Sequence, residues 1–251
     1  MFKCIFFSVL VLSSLFMGYG VLYDGWFKFI PSTLAIITMT YFFYPNKWKE
    51  FLGISWSAKE VFIGIAVFLA FLFTSFFVVK FSLPEGFHLK ISAPIEYIVV
   101  PFQTINEELV FRGLLLSGLL SAGLKKRNVI LYPALVFSIL HWAFYTFNLV
   151  DSNRGGVDFS ALLTLIFFAM AMNLLFIHTK SIILPWAIHF AWNVHQFGSR
   201  IVNLETGEAV KEFQVFNILV GSESVFFLSV GLFLVSMKFS NRLEQSTLPS
   251  N

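Results

Sequence analysis

Long apolar runs broken by short polar stretches make up most of the chain. A helix that crosses a bilayer needs about 20 mostly apolar residues. Stretches of that kind occupy residues 4–22, 26–44, 61–79 and 95–120, and then 128–150, 159–177, 181–197 and 214–237. Eight helices of about 20 residues use roughly 160 positions and leave only short connections. The pattern therefore predicts an all-α, polytopic membrane helix bundle of about eight transmembrane helices, with residues 1–251 in a single integral membrane domain. The first run has a signal-peptide alternative, because Lys3 precedes it and Gly18 and Gly20 lie near its end. Its length exceeds that of a usual signal h-region and no small-residue cleavage site follows, which favours a retained helix.

Composition points the same way. Of 251 residues, 57% are hydrophobic, 12% are charged and 34 are Phe, whereas soluble domains carry about 25% charged residues. A mean hydropathy of +0.80 excludes an ordinary soluble enzyme, a disordered chain and a secreted disulfide scaffold. The single cysteine, Cys4, makes no internal disulfide and lacks companions for a zinc site. A net charge of +3 without a basic run gives no reason to expect nucleic acid. No repeat of 20–50 residues and no low-complexity tract is visible.

Lys and Arg in the loops set the expected orientation. With the N-terminus in the cytoplasm, the inner segments hold Lys3, Lys47, Lys49, Lys59, Lys125, Lys126, Arg127, Lys180, Lys238 and Arg242. The outer loops hold Lys28, Lys80, Lys90, Arg154, Arg200 and Lys211. Ten against six favours both termini inside a cell membrane, in contact with the lipid bilayer, and leaves Arg112 within a span.

That span is anomalous. Its centre reads QTINEELVFR and places Glu107, Glu108 and Arg112 among apolar residues. Each central charge costs about 2.5–3.5 kcal/mol on an insertion scale, while each Leu, Ile, Val or Phe returns only about 0.3–0.6. Three charges offset most or all of what the apolar residues supply, so this helix must be held by neighbours or face a wet cavity. Glu108 and Arg112 are four apart and form a favourable ion pair on one face. Glu107, about 100° around the helix, is left without a local partner. Later spans bring polar residues to similar depth: Phe137 and His141 share a face in the fifth, and His189 and Asn193 in the seventh. Pro101, Pro133 and Pro185 precede Glu107, His141 and His189 and are expected to bend each helix.

The residue types narrow the chemistry. No Gly-x-Ser-x-Gly, no HExxH and no pair of intraspan aspartates is present. A glutamate beside an imidazole suits general-base activation of water, and His189 with Asn193 can donate to an oxyanion. Glu107, His141 and His189 holding a zinc is the alternative left open by spacing. Two non-hydrolytic functions also fit buried charge: a non-catalytic membrane partner or immunity protein, and a proton-coupled transporter. His195, off the His189–Asn193 face, reads as a packing or hydrogen-bonding residue, and Trp26, Trp48 and Trp56 as interface markers.

Glu-Glu-x-x-x-Arg (Glu107, Glu108, Arg112), Phe-x-x-x-His (Phe137, His141) and His-x-x-x-Asn (His189, Asn193) follow one another on separate helices. A Ser-Ile-x-x-Pro lead-in (Ser181, Ile182, Pro185) precedes the last. This ordered set resembles the CPBP family of intramembrane proteases, which includes the CAAX prenyl endopeptidases and bacteriocin-processing or immunity-associated relatives. The resemblance covers about residues 95–197 and implies a four-helix catalytic core opening towards the cytosol. It implies a glutamic endopeptidase cutting a membrane-associated peptide or protein. Glu107 would be the general base, His141 its helper on the water, His189 and Asn193 the oxyanion site, and Glu108, Arg112 and Phe137 support. It is read here without a cofactor or metal, because the site lacks a third histidine. The oligomeric state is left open.

Overall fold

In the computed structural model, residues 29–91, 94–147, 157–196, 199–210 and 212–246 are described, so the expected first span, Cys4 and Trp26 lie outside the described residues. Helix α1 spans Phe29–Phe43 and a single turn, α2, spans Trp48–Leu52. Gly53 ends α2 at φ +69, in the left-handed region where a side chain is strained. A Cβ there would also stand 2.6 Å from the Phe176 ring. Helix α3, Ala58–Ser82, starts at a reciprocal cap: Ser57 Oγ accepts from the Glu60 amide at 3.2 Å, and Glu60 Oε2 accepts from the Ser57 amide at 2.8 Å.

The charged span folds as one helical run with a change of pitch. Helix α4, Pro94–Glu108, passes into a π-helical segment, Leu109–Leu116, and then into α5, Ser117–Ser121. A π-helix bonds each amide to the carbonyl five residues back, and such wide turns are frequent at functional sites. Ser117 Oγ donates to the Arg112 carbonyl five residues earlier, at 3.3 Å. The segment is buried nearly all round, and α2 packs on it at Gly113, where a Cβ would meet the Leu52 carbonyl at 3.2 Å.

Helices α6 (Lys126–Phe147), α7 (Phe159–Thr179) and α8 (Ile183–Gln196) follow. Lys180, at φ 54, ends α7 in the left-handed conformation and turns the chain back into α8. The Ile182 amide donates to the Gly53 carbonyl at 3.0 Å, so this turn is fastened to the loop after α2. Helix α7 is the central post, packed between α6 and α10 (Glu223–Ser246) with Ala161, Ala169, Ala171 and Met172 fully buried. Helix α8 lies between α3 and α4. Among the described residues, three helices are long and apolar enough to cross a membrane, at Ala58–Ser82, Phe159–Thr179 and Glu223–Ser240. On α3 and α10 the large apolar side chains face outward, Phe62, Phe73, Phe81 and Phe227 among them. That outward apolar surface accounts for the compositional excess and fits a bundle embedded in lipid.

Three expectations change. Residues 214–237 are not one helix: α9, Glu212–Val220, stops at Gly221–Ser222 before α10 begins. Ser222 Oγ accepts from the Val225 amide at 3.3 Å, so a helix-starting cap interrupts the apolar run. Pro185 does not bend its helix, because it lies in the first turn of α8, where its missing amide would have had no helical partner. Pro101 and Pro133 do lie inside α4 and α6. Strands β1 (Phe87–Ile91) and β2 (Ser199–Asn203) pair antiparallel from Phe87↔Asn203 to Ile91↔Ser199. This small ribbon joins the segment before α4 to the segment after α8 in an otherwise helical fold.

Candidate active site

Glu107 and Glu108 are the last two residues of α4, and Arg112 lies in the buried π segment that follows. Glu107 is 4% exposed, and Glu108 and Arg112 are fully buried. Charges so far from water persist only when paired and hydrogen-bonded. Arg112 Nη1 donates to Glu108 Oε1 at 3.0 Å, as the i,i+4 spacing suggested. The same Glu108 oxygen lies 2.8 Å from His189 Nδ1 on α8. Arg112 Nε donates to Asn173 Oδ1 on α7 at 3.2 Å, and its guanidinium carbon lies 5.2 Å from the centre of the Phe137 ring. The Glu108–Arg112 pair is therefore part of a network that reaches three other helices.

Glu107 points elsewhere, towards two imidazoles. Its Oε2 stands 3.6 Å from His189 Nε2 and 3.8 Å from His141 Nε2. Its Oε1 accepts from Gln103 Nε2 at 3.4 Å, one turn earlier on α4. The expectation that Glu107 has no local partner is thereby corrected: a neutral amide on its own helix reaches it.

Tautomers follow from the partners. The Phe137 carbonyl can only accept, so the proton of a neutral His141 is on Nδ1, donated at 2.9 Å. Glu108 is an acceptor carboxylate, so Nδ1 of His189 also carries a proton. Both neutral rings then turn the Nε2 lone pair towards Glu107 Oε2. Three acceptors converging on one point are stable only with a donor among them, a water or an added proton. Asn193 supplies one donor, with Nδ2 3.3 Å from His189 Nε2. Phe137 packs against His141 at 4.2 Å between ring centres, and Phe168 meets His189 edge-on at 5.8 Å.

Helix spacing is fixed next to these groups. Trp186, one turn before His189, donates from Nε1 to the Pro101 carbonyl at 3.2 Å and to Thr104 Oγ1 at 3.1 Å on α4. Its ring stacks on Trp56, so Trp56 packs within the protein. His195 behaves as read from the sequence: Nε2 donates to Ser75 Oγ at 2.9 Å and to the Leu72 carbonyl, tying α8 to α3 away from the cluster.

Access is uneven. The His141 side chain is 25% exposed while that of Glu107 is 5%, so the cluster opens beside α6. Among the described residues, no three His, Cys, Asp or Glu side chains form a metal-holding group. The separations of 3.6 and 3.8 Å exceed the roughly 3.3 Å between ligands of a tetrahedral zinc site with bonds of about 2.0–2.1 Å. A zinc held by Glu107, His141 and His189 is thus not preformed in this arrangement.

The structure brings Glu107, His141, His189, Asn193, Glu108, Arg112 and Phe137 together. Sequence reading had not singled out Asn173 or Trp186. Asn173 could have been found from the same signal as Glu107, a polar side chain inside an apolar span. Trp186 gave no such signal.

Residues 90–195 match the family model for type II CAAX prenyl endopeptidase, Rce1-like, and the match encloses every member of the cluster. No curated protein matches the chain at a significant level. The similarity covers residues 90–195, and together with the Glu107–His141–His189 cluster inside it supports a glutamic-type, CAAX-protease-like peptidase site acting on a membrane peptide.

Proposed function

We propose that Glu107 is the general base of the peptidase. The observation that carries this reading is the convergence of its Oε2 with His141 Nε2 and His189 Nε2 at 3.6–3.8 Å. Both separations exceed a direct hydrogen bond, and a water lying beside these atoms can bond to Glu107 and His141 together. A water within hydrogen-bonding reach of Glu107 and His141 gives up a proton to Glu107 as its oxygen attacks the peptide carbonyl carbon. Negative charge then develops on the carbonyl oxygen. Asn193 Nδ2 turns from the ring to donate to that oxygen, and His189, held at Nδ1 by Glu108, donates to it from Nε2 once that nitrogen has taken up a proton from solvent on substrate binding. Collapse of the tetrahedral intermediate breaks the C–N bond, and the proton held by Glu107 passes to the departing amine. Glu108, Arg112 and Phe137 keep the two imidazoles in register.

The membrane arrangement belongs to the same proposal. Residues 1–251 form one integral domain of about eight spans in the cell membrane, with both termini cytoplasmic and the site opening to the cytoplasmic side. The Lys and Arg bias of the loops supports it. The substrate is a membrane-associated peptide, and the family description makes a prenylated CAAX-type tail the first to try.

Full-length protein in lipid nanodiscs, given an internally quenched S-farnesylated CAAX-type peptide, tests the mechanism. Wild type is expected to cut, and Glu107→Gln to lose about 10²–10⁴-fold in kcat at unchanged yield and melting temperature. Comparing membrane peptides from cells carrying either form, by mass spectrometry, identifies the physiological substrate. A purified Glu107→Gln protein cutting at the wild-type rate removes the mechanism.

A further inference from the structure

Asn173 lies in the second half of α7, between the buried Met172 and Leu174, and is 1% exposed. A buried amide without partners costs roughly 1–3 kcal/mol, so its retention requires satisfied bonds, and both ends have them. Oδ1 accepts from Arg112 Nε at 3.2 Å, and Nδ2 donates to the Ile130 carbonyl at 2.8 Å. Neither partner is on α7: Arg112 belongs to the π segment and Ile130 to α6, three residues before Pro133.

We propose that Asn173 is a positioning residue for peptide cleavage, acting on His189 through Arg112 and Glu108. This rests on the role given to His189 above. A guanidinium is a rigid plane whose donors point in fixed directions, so holding Nε also aims Nη1. Nη1 donates to Glu108 Oε1, the oxygen that meets His189 Nδ1. Asn173 therefore fixes the oxygen that sets the His189 tautomer and keeps Nε2 turned towards Glu107. Its second bond ties the same amide to α6, the helix of His141, so both imidazoles are placed with reference to one side chain. A purely space-filling residue would need neither bond, and a leucine would serve there.

Asn173→Leu preserves bulk, and Asn173→Ala keeps the test open should leucine prevent folding. Each is made in the full chain, reconstituted in nanodiscs and assayed with the quenched S-farnesylated CAAX-type peptide. The expected result is a roughly 10- to 100-fold loss of kcat per folded molecule, the scale of a misplacement near 1 Å, with KM within about twofold. Nitrogen-15 spectra of the histidine rings, which need no substrate, are expected to show His189 change from the Nδ1–H form to a mixture. Wild-type kcat in the variants that fold, or a rate loss matching only the lost folded fraction with His189 spectra unchanged, overturns the proposal. Activity in Glu107→Gln would instead overturn the glutamate mechanism, so the two failures are separable.

Discussion

Glu108 receives both Arg112 Nη1 and His189 Nδ1 on one carboxylate oxygen, in a fully buried position. Such a pair contributes little net stability relative to well-packed apolar residues, but removing one member strands a charge. Arg112→Met is therefore expected to destabilise the protein by about 3–5 kcal/mol, read as a lower melting temperature in detergent. Combining it with Glu108→Gln is expected to recover much of that stability and none of the activity, because His189 loses its anionic partner. If the double variant is as unstable as the single, the pair is not the source of the loss. Phe137 supports the same site from a different side, lying under the guanidinium and against the His141 ring.

At the scale of elements, the separation between α4 and α8 decides whether Glu107 and His189 meet. Trp186 bridges the two helices with a shared indole N–H, placed where Pro101 interrupts α4. A proline removes one helical hydrogen bond and loosens the local geometry, so an added cross-helix donor has most effect there. Trp186→Phe keeps most of the ring and deletes only the donor. It is expected to cost about 0.5–1.5 kcal/mol of stability while lowering kcat about tenfold or more through misplacement of His189. Steady-state kinetics alongside melting curves check this, and an unchanged kcat would show that helix spacing is held elsewhere. Part of this level was legible in the chain. The charged span, its continuous helix and the faces shared by Phe137 with His141 and His189 with Asn193 follow from helical periodicity. The π segment did not, because a π turn uses the same residues as an α turn and differs only in which carbonyl each amide reaches. Burial on every side, with α2 against Gly113, is a tertiary condition.

For the whole molecule, the proposed orientation puts the α5–α6 turn in the cytoplasm and the β1–β2 ribbon outside. Lys125 and Glu205 are exposed and lie at these opposite places. In a Cys4→Ser background, Lys125→Cys is expected to react with a membrane-impermeant maleimide only after permeabilisation, and Glu205→Cys in intact cells. The reverse pattern would invert the topology and turn the site away from the cytoplasm. Function at this scale depends on a central α7 that lets four helices deliver side chains to one buried point, while α3 and α10 present apolar faces to lipid.

Hydropathy and residue type along the chain are enough to identify a membrane protein, the spans that carry charge, and the glutamate and histidines chemically suited to hydrolysis. These follow from the cost of placing a charge in hydrocarbon and from periodicity within single helices, both local properties. Tertiary structure alone decided which Glu107 oxygen faces the imidazoles, that Glu108 serves Arg112 and His189 together, and that Asn173 and Trp186 belong to the machinery. Asn173 meets partners 61 and 43 residues away. Contacts across such separations are fixed by the packing of whole helices, and no periodicity along the chain encodes them.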